Sequence, residues 1–324
     1  MAKYIGQRIV AMLITLFIVL SVAFLVIRLM PGSIYDNNEM LSAEMVKILE
    51  DKYHLNDPII VQYGYFLRDI VFYGDWGTSV AVQPRVPVWE VLASKIPVTL
   101  QLNFISLIVA MPIGIIAGIF SAIYKNTKVD YVISFFVVVF ISVPSFIFAT
   151  VLQYFLAYKF GWFPIIYNAT AVGKVKYLSM VLPITALSFS PIARVARYLR
   201  GELIENLSSE YMLLARTKGL NQFQATVRHS MRNSFVPLAN IIIPMFTNIL
   251  TGSLVVEQIF SVAGVGGLMV TSINSSDHTL TIAILIFYSM ISLVTILIVD
   301  LSYGLIDPSP CGRTISSCCS WGPT

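Results

Sequence analysis

Glu210-Tyr211-Met212-Leu213-Leu214-Ala215-Arg216-Thr217-Lys218-Gly219-Leu220 stands in the middle of a basic, polar segment, residues 194 to 237, set between long apolar runs. The segment closes with Arg228-His229-Ser230-Met231-Arg232-Asn233-Ser234-Phe235-Val236-Pro237. Its residues are ordered for helices. Ser208 or Ser209 can cap a first helix, and Glu210 in the first turn opposes the helix dipole. Gly219 suits the left-handed position that ends such a helix after two to three turns. Asn221 followed by Gln224 matches a capping box for a second helix, with Phe223, Val227 and Met231 as an apolar stripe. Pro237 falls where the chain turns back into apolar sequence. A stretch kept only for its charge has no reason to build two capped helices, so something must grip this one.

The surrounding sequence is a membrane protein. Mean hydropathy is +0.80 and 12% of residues are charged, about half the share in a soluble domain. A helix of about 20 residues crosses a bilayer core of about 30 Å. Six runs reach that length or nearly so: Ile9–Ile27, Val98–Tyr124, Tyr131–Tyr158, Leu178–Ala193, Val236–Val256 and Leu280–Val299. Pro183, Pro191 and several serines interrupt the fourth. Such runs predict an all-α bundle, since barrel strands alternate in shorter segments. The first run is bounded by Arg8 and Arg28 and lacks a small-x-small cleavage site, so it reads as a retained helix.

Charge distribution orients the bundle. With the N-terminus inside, Lys3, Arg8, Lys125, Lys128, Arg194, Arg197, Arg200, Arg216, Lys218, Arg228 and Arg232 are all cytoplasmic, and the outer loop 257–279 has no Lys or Arg. Lys159, Lys174 and Lys176 run against this pattern. Both termini are then expected in the cytoplasm. The long outer segment after the first helix holds a capped helix from Ser42 to about Tyr53, a turn at Gly74-Asp75-Trp76-Gly77, and Pro84 and Pro87 before Trp89. It reads as a cap over the outer mouth.

Several chemistries lack their residues. The six cores contain no Asp, Glu, Lys, Arg or His, which disfavours a proton-coupled secondary transporter; sodium coupling through hydroxyl and backbone oxygens stays open. Gly173-Lys174 is followed by Val175, so there is no phosphate-binding loop. His54, His229 and His278 are scattered, and neither a nucleophile pair nor a metal cluster is spelled out. Cys311, Cys318 and Cys319 all lie in the tail, leaving no disulfide framework. The basic segment lacks an aromatic platform, so nucleic acid is not an expected partner.

Glu210, Ala215 and Gly219, with Pro237 beyond, resemble the cytoplasmic "EAA" loop of binding-protein-dependent ABC importer permeases. Ile96-Pro97-Val98-Thr99-Leu100, Ser142-Val143-Pro144-Ser145-Phe146, Leu182-Pro183, the run Gly252, Glu257, Phe260, Gly264, Gly267, and Asp300 with Tyr303, Asp307 and Pro308 resemble the same family's membrane signatures. Asp57-Pro58, Gln62-Tyr63 and Gly74-Asp75-Trp76-Gly77 are similar to the B-type permease of its dipeptide/oligopeptide/nickel branch. Tyr211 stands where the motif has Ala. The resemblance covers about residues 1–308.

It implies a type I ABC importer permease fold of six transmembrane helices with a cytoplasmic coupling helix, in the bacterial cytoplasmic membrane. Residues 1–95 would form the first helix and outer segment, and 96–307 the permease domain, with its coupling loop at 202–235. Glu210, Tyr211, Ala215, Arg216, Lys218, Gly219 and Leu220 would engage the ATPase. The chain itself would hold no cofactor; ATP and Mg would be bound by two cytoplasmic ATPase subunits. A second, homologous permease and an extracytoplasmic peptide-binding protein would complete the system. Nickel or another small solute is the alternative cargo within the branch. The tail 308–324 departs from the family and is expected to be disordered. It reads as a frameshifted or read-through end, a hypothesis that mass spectrometry of native protein would refute by finding this terminus.

Overall fold

The computed structural model describes residues 2–29, 56–247 and 253–306, with single positions at 44, 47, 48, 51 and 54. The helix expected from Ser42 falls almost wholly outside the described residues, as does the tail. Helix α1 is Ala2–Leu29. Helix α2, Ile59–Arg68, widens into a π turn at Asp69–Tyr73. Helices α3 (Val88–Ile123) and α4 (Lys128–Ser142) follow, then α5 (Ser145–Leu152) with a π turn at Gln153–Lys159 and α6 (Lys174–Leu207). Short α7 is Glu210–Thr217. Helix α8 (Gln222–Ala225) passes through a π turn at Thr226–Ser230 into α9 (Met231–Thr247). The chain ends in α10 (Leu254–Ile259), α11 (Val265–Asn274) and α12 (His278–Ile306).

The architecture is all-α, as expected, but the six crossings are not all seen. Among the described residues four helices, α1, α3, α6 and α12, are long and apolar enough to cross a membrane, or five if α4 and α5 count as one bent span. The expected crossing Val236–Val256 is described only as far as Thr247. The run Tyr131–Tyr158 is not one straight helix: α4 and α5 meet at 103°. Pro144 causes the break, because the ring forces the preceding residue out of the helical region, and Val143 sits at φ −90°, ψ 124°. The fourth run errs the other way. Pro183 and Pro191 lie inside a continuous helix of 34 residues. Arg194, Arg197 and Arg200 therefore extend the long helix instead of opening a separate polar segment.

The most extensive packing joins α3 to α6. A seam of small buried residues, Ser106, Ala110, Gly114, Gly118 and Ala122, repeats every fourth position along α3. It lets the two backbones close up, which is how helices associate where lipid offers no hydrophobic drive. A Cβ on Gly114 would stand 2.9 Å from the carbonyl oxygen of Ile192 and the Cβ of Val195. The Ser188 hydroxyl donates across the seam to the Ser106 carbonyl at 3.0 Å. Near the α7 end of the bundle, Arg200 of α6 makes a two-pronged ion pair with buried Asp130 of α4, at 2.8 and 2.7 Å. Asp130 also accepts from the Ser121 hydroxyl and the Asn126 amide.

Two more buried carboxylates organise the opposite end. Asp277, at the start of α12, accepts on one oxygen from the Ser79 hydroxyl at 2.6 Å and from the amides of Val80, Ala81 and Val82 at 3.0, 3.0 and 3.1 Å. This ties residues 76–86 onto the apolar cluster where Val88 and Leu92 meet Leu268 and Leu280. Glu257 of α10 accepts from the Thr99 hydroxyl at 3.1 Å and the Gly267 amide at 3.0 Å. The Thr99 oxygen in turn accepts from the Val265 amide. A side chain on Gly264 would fall on the Glu257 and Thr99 oxygens, which is the physical reason for glycine there.

Candidate functional site

The segment quoted first folds as a small unit at the foot of α6. Ser209 occupies the N-cap position of α7, but its side chain does not cap; the hydroxyl donates back to the Asn206 carbonyl. Glu210 is exposed in the first turn, where its charge opposes the helix dipole. The helix ends as expected. Gly219 has φ +90°, its amide donates to the Arg216 carbonyl at 3.0 Å, and the Leu220 amide donates to the Ala215 carbonyl at 3.4 Å. These two bonds are a Schellman closure. Asn221 then forms the expected capping box: its side chain accepts from the Gln224 amide at 2.8 Å, and the Gln224 side chain accepts from the Asn221 amide at 3.3 Å.

The unit has a core of its own. Met212, Ala215 and Ala225 are buried together, with Leu207 and Leu220 against them. Ala215 thus faces inward, and its small size sets the approach of α7 to α8. The stripe Phe223, Val227, Met231 is split, and of the three Met231 alone is buried. Phe223 and Val227 are exposed, whereas Ala225, Thr226 and Ser230 are buried. The π turn lies between Phe223 and Met231, and its wider pitch rotates the side chains that follow it, so the stripe does not keep to one face.

What remains outward is an apolar and basic surface. Leu213, Leu214 and Phe223 are 59%, 57% and 51% exposed, beside exposed Arg216 and Lys218. Among the described residues neither cation forms an ion pair. Large exposed apolar side chains on a folded polar unit are the kind of surface that partners cover.

Residues that sequence reasoning did not single out fasten this unit to the bundle. The Tyr211 hydroxyl donates to the Asn206 side-chain oxygen at 2.9 Å, and the Asn206 amide donates to the Ser234 hydroxyl at 2.8 Å. One asparagine thereby links α7, α6 and α9. No local signal marks Asn206 or Ser234, because the link spans positions 28 apart. Of the expected residues, Glu210, Tyr211, Arg216, Lys218 and Gly219 lie at the surface, while Ala215 and Leu220 turn toward the unit's core.

Residues 111–310 match the family described as binding-protein-dependent transport system inner membrane component, and residues 1–103 match its N-terminal region. The chain belongs to this family. Its members are permease components, so the chain is a multi-pass inner-membrane protein and not itself an enzyme; ATP hydrolysis belongs to separate subunits. Relatives match over nearly the whole length. The dipeptide transport system permease protein DppB of Lactococcus lactis is 37% identical over 308 residues, 95% of this chain and 99% of that protein. The oligopeptide permease OppB of Haemophilus influenzae is 33% identical, covering 95% and 99%, and that of Salmonella typhimurium 34%, with the same coverage. A solved structure, an inward-facing MetNI methionine ABC transporter, aligns with a TM-score of 0.49 and 18% identity over 66% of this chain and 97% of that one.

Proposed function

We propose that this chain is one half of the membrane path of an ATP-driven peptide importer, and that its 202–235 loop is where a cytoplasmic ATPase docks. The observation that carries the reading is the α7–α8 unit: fixed at its junction by the Gly219 closure and the Asn221 capping box, packed on its own core, and presenting Leu213, Leu214 and Phe223 outward beside Arg216 and Lys218. Packed interfaces switch position instead of stretching. A push on α7 is therefore passed to α6 through Leu207 and Asn206, and to α9 through Ser234 and the π turn. The dipeptide and oligopeptide permeases among its relatives support peptide as cargo. The α7 end lies in the cytoplasm together with both termini. The capped end, with residues 76–86, faces the extracytoplasmic binding protein. A second, homologous permease completes the path, and two ATPase subunits drive it.

The test is reconstitution of this chain with its neighbouring permease, ATPases and binding protein in proteoliposomes. Peptide-stimulated ATP hydrolysis that depends on this subunit is the expected result. Stimulation only by nickel or another solute would move the cargo. Failure to form a complex with any ATPase would overturn the docking assignment.

A further inference from the structure

Helix α6 has two unlike faces. One, with Ala193, Ala196, Leu199 and Leu203, is sealed against its neighbours. The other opens on a groove of about 1000 Å³ bounded by α3, α6 and α9. Along this open face the charges fall in two bands: Arg194 and Arg197, then Glu202 and Glu205, with Gly201 between them. A Cβ at Gly201 would meet nothing within 4 Å, so packing does not demand glycine there; its absence of side chain keeps the groove clear.

The pairing pattern makes these bands unusual. Arg200, on the same helix, is paired with Asp130 through two bonds. Arg194, Arg197, Glu202 and Glu205 have no ion pair among the described residues, although they share one helix face. Eight residues separate the midpoints of the bands, an axial distance of about 12 Å at 1.5 Å per residue. An extended peptide covers about 3.3–3.6 Å per residue, so the two ends of a tripeptide or tetrapeptide fit that separation.

Resting on the peptide-importer reading, we infer that this groove is a peptide site at the cytoplasmic end of the path. Arg194 and Arg197 take the terminal carboxylate, and Glu202 and Glu205 take the terminal ammonium. Guanidinium forks suit a carboxylate. Every unblocked peptide carries both terminal charges whatever its side chains, so the site recognises the class without selecting sequence. The uncharged core expected from the sequence then leads to a charged exit.

The test uses the reconstituted complete importer and two probes, tetraalanine and tetraalanine amide, with uptake of each compared between wild type and R194Q/R197Q. The expected result is a loss of about tenfold for the free acid, the scale of a charged hydrogen bond, with the amide little affected. Dialanine, too short to span both bands, should lose less than tetraalanine. E202Q/E205Q should show the mirror pattern with N-acetylated tetraalanine. Equal losses for acid and amide, or rescue by an opposite charge placed in the neighbouring permease, would overturn the site and assign these charges to the subunit interface. Wild-type importer that takes up no peptide at all would instead overturn the functional reading beneath it.

Discussion

Gly219 offers a direct way to separate rigidity of the α7–α8 unit from its surface chemistry. Its φ of +90° lies where an L-residue is strained, at a cost of roughly 1–2 kcal/mol for alanine and more for a β-branched residue. No heavy atom lies within 4 Å of the position a Cβ would take, so collision adds nothing and the loss is purely conformational. Each 1.4 kcal/mol is a factor of ten, so Gly219→Ala should open the Schellman closure about 5- to 30-fold more often, and Gly219→Val further still. Asparagine tolerates left-handed backbone, so Gly219→Asn should fall between glycine and alanine. Hydrogen exchange at the Leu220 amide, bonded to the Ala215 carbonyl, reads the opening. Peptide uptake per ATP hydrolysed reads its consequence. Exchange should rise and uptake per ATP should fall in the order Gly, Asn, Ala, Val, with membrane insertion intact. Unchanged uptake per ATP in a valine variant whose Leu220 amide exchanges fast would refute the claim that a stiff unit transmits the stroke.

Three further outcomes are expected. Asp277→Ala removes the acceptor for the Ser79 hydroxyl and three amides; at about 1–3 kcal/mol per buried donor left unpaired, residues 76–86 should detach, seen as faster tryptic cleavage after exposed Arg85. Asp130→Asn breaks a buried pair, worth about 3–5 kcal/mol; because Arg200 is 32% exposed the low end is expected, measured as a drop in melting temperature of the purified complex. Gly118→Leu overpacks a seam where even a Cβ would stand 3.0 Å from the Ala196 carbonyl oxygen and the Leu199 Cβ. It should exceed the ~1–3 kcal/mol usual for overpacking and abolish folded yield, whereas Gly118→Ala should retain part of it.

Features written within a few residues of each other were legible in the sequence. The Asn221–Gln224 box, the left-handed Gly219 and the Asp75 turn all rest on short spacings, and Asp75 does accept from the Gly77 amide at 2.8 Å. Features that depend on distant partners were not legible. Nothing near Glu257 announces that its carboxylate will meet Thr99, 158 positions away, and nothing near Ala215 says that it faces Ala225 instead of a partner protein. Proline was ambiguous for a different reason: the same residue type breaks the run at Pro144 and is absorbed in a continuous helix at Pro183 and Pro191. The π turn at Thr226–Ser230 has no composition signal, which is why the expected stripe is split, with Met231 buried and Phe223 and Val227 exposed.

The Asp277 cradle also sets an order in time. The residues it joins are 195 to 198 positions apart, and α1 likewise rests on α12. At a synthesis rate of about 5–20 residues per second, the ribosome needs roughly 10–40 s to reach Asp277 after finishing Ser79. Throughout that interval the amides of Val80, Ala81 and Val82 have water where their carboxylate will be, and the first helix waits for the last. The end of the permease opposite α7 is thus sealed from the C-terminal side of the sequence, so a chain stopped before residue 277 leaves an open loop for quality control to find.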